Sequence, residues 1–258
     1  MQIDATKFEF KALNDEIRNG GTDIEITDCL GQRFIAAGLD GKKIKISGTP
    51  GNALGAYLNG AQISVFGNAQ DAVGDTMNDG VICIHGNIGD AAGYAMRGGR
   101  ILVKGNAGYR AGIHMKAYRE KHPTLVIGGC AGSFLGEYQA GGTIIVLGLN
   151  DDGRKIVGNY PCTGMHGGKM FLRGKCENIK FPKQVTTHLA ADEEKSEIKA
   201  EIENFCKIFH LNADEILGAD FTVVLPDTKN PFKQMYVANY RKRRCTLWFT
   251  QKRKLCST

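Results

Sequence analysis

The sequence predicts a mostly β protein: a single-stranded, right-handed parallel β-helix of about eight rungs of roughly 19 residues, with helical N- and C-terminal flanks. Three observations carry this. Glycine is in excess, 34 of 258 residues, about twice its usual ~7% share. The excess recurs at a fixed step, with Gly48, Gly67, Gly86 and Gly105 each 19 residues apart. Before each of these glycines lies a short run with period-two apolar alternation, the mark of a strand with one face buried.

Residues 1–21 read as an N-terminal helical cap, because Phe10, Leu13 and Ile17 make a helical stripe ahead of Gly20-Gly21. Residues 22–182 form the glycine-repeat coil. After Gly105 the closing glycines are Gly129, Gly148 and Gly174, so five residues are inserted before Gly129 and seven before Gly174. Lys155 then starts the last 19-residue unit, and Asp28 opens a degenerate first unit 20 residues before Gly48. A second glycine column runs through Gly51, Gly89, Gly108, Gly132 and Gly158, and a third through Gly55, Gly74, Gly93, Gly112 and Gly136. Gln70 and Cys162 interrupt these columns.

The inward pairs are Ile24/Ile26, Ile44/Ile46, Ile63/Val65, Ile82/Ile84, Ile101/Val103, Leu125/Ile127, Ile144/Val146 and Met170/Leu172. The residues between them, Lys45, Ser64, Cys83, Leu102 and Val126, are read as a mostly polar or small outward set. A 19-residue unit is too short for a strand–helix–strand crossover of ~30 residues but fits one turn of a β-helix. Stacked at ~4.8 Å, eight such turns make a rod of roughly 35 Å. Asn68, Asn87 and Asn106, following closing glycines, are placed to form a hydrogen-bonded ladder. The row Leu58, Met77, Met96, Met115 and Met165 reads as core filler.

Residues 183–240 hold a C-terminal helix and an extended segment. A helix is expected over 191–209, with Ile198, Ile202, Phe205, Cys206 and Phe209 on one face and acidic residues at its start. A short helix is expected over 214–217, and 221–226 (FTVVLP) is expected to be extended. Residues 241–258 form a basic tail, with seven of the 33 Lys and Arg residues and no acid. That leaves 26 bases against 27 acids elsewhere, so the body offers no electrostatic footprint for nucleic acid.

No apolar run approaches the ~18 residues of a membrane span. The N-terminus lacks a secretory profile, so a cytoplasmic location is expected, with the eight scattered cysteines as free thiols. Known chemical motifs are missing. No GxGxxG follows a strand, there is no HExxH, no GxSxG and no CxxC, and the GGKM at 167–170 lacks the rest of a phosphate loop. His114 and His166 occupy neighbouring slots without identifiable co-ligands. Partner contacts are expected where insertions leave the repeat, at 116–124 and 150–154, with Tyr118, Arg119 and His122 as the candidate interface side chains.

The stretches GNIGDAAGYAMRGGRILVKGNAGYRAGIHMKAY, GGCAGSFLGEYQAGGTIIVLG and TGMHGGKMFLRG resemble the glycine-repeat (GXGXG) β-helix domain at the C-terminal end of the glutamate synthase large subunit, over roughly residues 22–175. The resemblance implies a structural subunit of a split glutamate synthase, which makes glutamate from glutamine and 2-oxoglutarate. It implies two partners, a glutamine amidotransferase subunit and a synthase subunit that holds FMN and an iron–sulfur cluster. No catalytic residue, cofactor or metal is carried over to this chain. A related glycine-repeat domain occurs in an accessory subunit of formylmethanofuran dehydrogenase, the alternative reading. A self-contained β-helix binding protein and a homo-oligomeric structural protein are further alternatives.

Overall fold

In the computed structural model, which describes residues 1–150 and 153–227, eight consecutive parallel strands stack in one sheet. They are β2 (Asp23–Leu30), β3 (Lys43–Thr49), β4 (Asn59–Phe66), β5 (Asp79–Ile84), β6 (Arg100–Val103), β7 (Thr124–Ile127), β8 (Ala140–Val146) and β9 (Gly167–Arg173). A short strand β1 (Gln2–Asp4) pairs in parallel with β2 at one edge, ahead of helix α1 (Phe10–Asn19). At the other edge β11 (Phe221–Pro226) pairs antiparallel with β9, and β10 (Val185–Leu189) pairs antiparallel with β11. Helices α2 (Asp192–Phe209) and α3 (Ala213–Leu217) lie between those two strands in the chain. The expected tail, 241–258, lies outside the described residues.

The register follows from side-chain stacking. Ile24, Ile44, Ile63, Ile82, Ile101, Leu125, Ile144 and Met170 pair in sequence from rung to rung, and all are buried. The second inward column does the same. Shifting one strand by a residue would turn its apolar set outward, so the buried columns hold the register. Asp28 does not align with Gly48. The partner of Gly48 is Cys29, and the extra residue of the first unit is absorbed as a bulge between Ile26 and Cys29, where Asp28 has φ 54°.

Each turn has a second, short β contact, the column Ala69, Ile88, Ala107, Ala131 and Val157. A wound segment follows in which every second residue is left-handed: Ala72, Gly74 and Thr76 in one turn, Arg110, Gly112 and His114 in another. The third glycine column supplies the middle of these triplets, and Cys162 takes that place in the last turn with φ 60°. The closing glycines stack on one another: a Cβ at Gly48 would fall on the Cys29 carbonyl oxygen. The Asn ladder is present. Asn87 N donates to Asn68 Oδ1 (2.8 Å), Asn106 N to Asn87 Oδ1 (2.7 Å) and Cys130 N to Asn106 Oδ1 (2.7 Å). A parallel acidic ladder was not anticipated: Asp90 N donates to Asp71 Oδ1 (2.8 Å) and Tyr109 N to Asp90 Oδ1 (2.7 Å).

The methionine row is core, with Met77, Met96 and Met115 fully buried. Its interrupted place holds Gln139, also fully buried, whose Nε2 donates to the Gly142 carbonyl at 3.1 Å.

The outward column changes character along the rod. It runs Glu25, Lys45, Ser64 and then Cys83, Leu102, Val126, Ile145 and Phe171. The apolar part forms a second core with Ile198, Ile202, Phe205, Cys206 and Phe209 of α2, Ile216 of α3, and Phe221 and Val223 of β11. Arg100–Glu201 (2.8 Å) and Lys169–Glu197 (2.6 Å) rim this contact. Glu194 accepts from the Ala191 N–H at the start of α2, and left-handed His210 ends it. At that end His85 stacks on Phe66 (centroids 4.6 Å apart) and meets the edge of Phe209 at 5.1 Å.

Gly48→Ala is expected to lose several kcal/mol, about 1–3 from backbone strain and ~1–3 from overpacking. Gly31→Ala, at φ 81° with open space around it, should lose only the ~1–2 kcal/mol of the left-handed conformation. Thermal unfolding midpoints of the two variants check this order. Desolvation, with Lys104 and His210 nearby, holds the His85 pKa below its ordinary 6.5. The unfolded chain therefore takes up a proton that the folded chain refuses, and stability should fall as pH drops below 6.5. His85→Gln should flatten that slope in denaturant titrations between about pH 5 and 7.

Candidate interaction face

The first insertion folds as a tight hairpin. Tyr118 and Lys121 exchange backbone hydrogen bonds (3.0 and 3.1 Å), with left-handed Arg119 at the tip. Lys121 Nζ anchors the hairpin to Asp79 Oδ2 at 2.7 Å, and that bond is the chief cause holding the Asp79 carboxyl below its usual range. The Arg119 guanidinium lies 5.2 Å from the Tyr118 ring centre, so these two candidate residues come together. The third, His122, is exposed on the returning arm. In the second insertion Asn150 Nδ2 donates to Asn106 Oδ1 (3.2 Å), extending the Asn ladder; residues 151 and 152 lie outside the described residues.

The wound side of the coil carries two exposed aromatic stacks that sequence reasoning missed. His114 sits between Tyr94 (5.9 Å, edge on) and Tyr138 (5.1 Å, planes 12° apart). Arg110 lies 5.1 Å over Phe134, which stacks on Tyr160 at 5.3 Å, and Glu137 accepts from Arg110 Nε at 3.2 Å. Arg110, Phe134 and Tyr160 occupy the left-handed slot five residues after the closing position, and His114 and Tyr138 the one nine after, while Tyr94 and Glu137 each precede a nine-residue slot. The three turns before Arg110 place Ala53, Ala72 and Ala91 in the first slot, and the first turn places Phe34 there. The change from alanine to Arg110, Phe134 and Tyr160 was visible in the sequence once those two offsets were tracked.

This chemistry suits contact with another macromolecule. Exposed tyrosines paired with arginine are enriched at protein interfaces. His166 Nδ1 lies 3.0 Å from the Gly164 carbonyl, and His114 is held in its aromatic stack, so they do not form a pair. Among the described residues no group of three or more His, Cys, Asp and Glu is placed to hold a metal ion. No helix among them is long and apolar enough to cross a membrane. Burial pushes the Cys162 thiol up to about 12 and those of Cys29 and Cys83 up to about 11.

A model of the GXGXG motif family matches residues 5–229. The chain is a member of the GXGXG motif family. It is 43% identical over 248 residues to an uncharacterized protein of Methanocaldococcus jannaschii, MJ1350, covering 91% of this chain and 95% of that one. Among solved structures it is similar to a chain of the formyltransferase/hydrolase complex (FhcABCD) from Methylorubrum extorquens, crystallised with methylofuran. That likeness has a TM-score of 0.60 at 19% identity, over 79% of this chain and 73% of the other, and shows a shared fold.

A thiol reagent at pH 8 should label Cys29, Cys83 and Cys162 of the native protein at least about 100-fold more slowly than after unfolding, because so little thiolate forms. Peptide mapping of the labelled protein reads this residue by residue.

Proposed function

We propose that this GXGXG family member is a non-catalytic scaffold subunit of a multi-chain enzyme, a split glutamate synthase. The observation that carries the proposal is family membership over residues 5–229, combined with an exposed aromatic and basic face on the wound side of the rod. In this reading the chemistry belongs to a glutamine amidotransferase chain and to a synthase chain with FMN and an iron–sulfur cluster. The present chain supplies a rigid surface that both can hold. A right-handed coil and a cytoplasmic location belong to the same reading.

A second reading is an accessory subunit of a formylmethanofuran dehydrogenase type of enzyme. The similarity of fold to a chain of the FhcABCD complex favours it. Mild affinity purification from the native host, with mass spectrometry of co-eluting chains, separates the two. Amidotransferase and FMN/iron–sulfur synthase chains support the first, and molybdopterin dehydrogenase chains support the second. Emergence of the protein alone overturns both.

The hairpin Tyr118, Arg119 and His122 is proposed as part of the interface. Tyr118→Ala with Arg119→Ala should weaken retention of the co-purified chains at least about tenfold without lowering the unfolding midpoint. Unchanged retention would remove the hairpin from the interface.

A further inference from the structure

The coil is open at its last turn on two of its sides. In every earlier turn, the first left-handed residue of the wound segment donates its N–H to the next turn. Phe34 donates to Asn52 O, Ala53 to Asp71 O, Ala72 to Asp90 O, Ala91 to Tyr109 O, Arg110 to Ser133 O and Phe134 to Asn159 O, all at 2.8–2.9 Å. The equivalent in the last turn is Tyr160. The third left-handed residue behaves the same way, from Gly38 to Ala56 O through Tyr138 to Thr163 O (both 2.8 Å), and its last equivalent is Gly164. On the short β side the series Ala69, Ile88, Ala107 and Ala131 ends in Val157. The N–H groups of Val157, Tyr160 and Gly164 have no acceptor among the described residues.

The rest of this end is closed. β11 pairs with β9 and seals the strand side, while Ile179 and Phe181 pack over the end of the inner core. Between that cover and the last turn lies a cleft of about 630 Å³. Val157, Asn159 and Tyr160 line it, with Thr163 next to Gly164, and its charged lining is Lys155, Lys180 and Glu177, a net charge of +1; neither lysine has a carboxylate partner among the described residues. The volume is in the range of a specific binding site.

We propose that this cleft is a docking site for a segment of a partner polypeptide that takes up the wound course of a turn, its carbonyl groups continuing the turn-to-turn ladder of the seven wound segments as an eighth. Three donors in the spacing of one turn call for backbone acceptors in that same spacing, and two lysines against the one carboxylate of Glu177 favour a segment that carries an acidic side chain. A second copy of this chain does not fit end to end. The first turn is covered by α1, where Asn14 Nδ2 donates to Arg33 O (3.1 Å) and Asn14 Oδ1 accepts from Ala36 N (3.1 Å). The proposal rests on the scaffold reading only in taking the natural occupant to be a partner subunit.

The test uses the full-length chain and a synthetic decapeptide of its own fourth turn, residues 87–96 (NIGDAAGYAM), which carries the matching carbonyls. In the free protein the amides of Val157, Tyr160 and Gly164 should exchange with solvent at least about 100-fold faster than those of Ala131, Phe134 and Tyr138. Millimolar peptide should slow the three at least about tenfold, while a scrambled peptide leaves them unchanged. Lys155→Glu with Lys180→Glu should weaken peptide binding about tenfold. Two results overturn the proposal: amides already protected in the free chain, which would mean that the edge is filled, or no response to peptide. Neither touches the co-purification result, so this site and the scaffold reading can fail separately.

Discussion

The structure depends on one constraint: every turn must lie directly on the turn before it, residue on residue. Close stacking leaves no room for a side chain where backbone meets backbone. At Gly48 a Cβ would fall on the Cys29 carbonyl, and at Gly112 it would strike Ile144 Cδ1 in the core. Glycine is therefore required by contact as well as by conformation. The same stacking gives identical side chains identical neighbours, which is why isoleucine repeats on isoleucine in the inner columns and asparagine on asparagine at the corner.

Stacking also sustains a backbone that would be unfavourable alone. Left-handed conformation costs roughly 1–2 kcal/mol for a residue with a Cβ, yet Ala72, Thr76, Arg110, His114, Phe134 and Tyr138 all adopt it. Their N–H groups point along the rod, and each donates to the turn that follows. A single such turn would leave those donors to water and keep the full conformational cost. Many turns share it against a continuous ladder, so the coil gains from length and is weakest in interactions at its ends. Both termini respond to this. β1 and α1 cover the first turn, and β11 with β10 closes the strand side of the last.

Much of this was legible in the sequence because the repeat makes one turn predict the next. The strands, their inward pairs and the Asn68–Asn87–Asn106 ladder follow from a 19-residue step applied to alternating residues. Asp28 was misplaced because a bulge is local: nothing in its composition distinguishes an extra residue inside the strand from one at its end. Strands β1 and β10 were missed because three to five residues of mixed polarity carry too little periodicity to stand out. The aromatic stacks were missed for a different reason. They arise between turns, from residues 20 to 26 apart in sequence that meet only once the left-handed slots are known.

The outward column explains how a uniform rod acquires direction. From Glu25 through Ser64 it is polar, and from Cys83 to Phe171 it is apolar and covered by α2, α3 and β11. Burying these side chains attaches the C-terminal elements to the later turns only. On the wound side the same later turns carry Arg110, Phe134 and Tyr160 in the slot that holds Ala53, Ala72 and Ala91 in the turns before them. A perfect repeat would offer a partner several equivalent registers along its length. Phe34 and Tyr57 put aromatic side chains in the same slots of the first two turns, but the inter-turn stacks at His114 and Phe134, the hairpin at Tyr118 and the open last edge belong to the later turns and remove that ambiguity. A partner that reads the rod by its departures from the repeat can dock in one register.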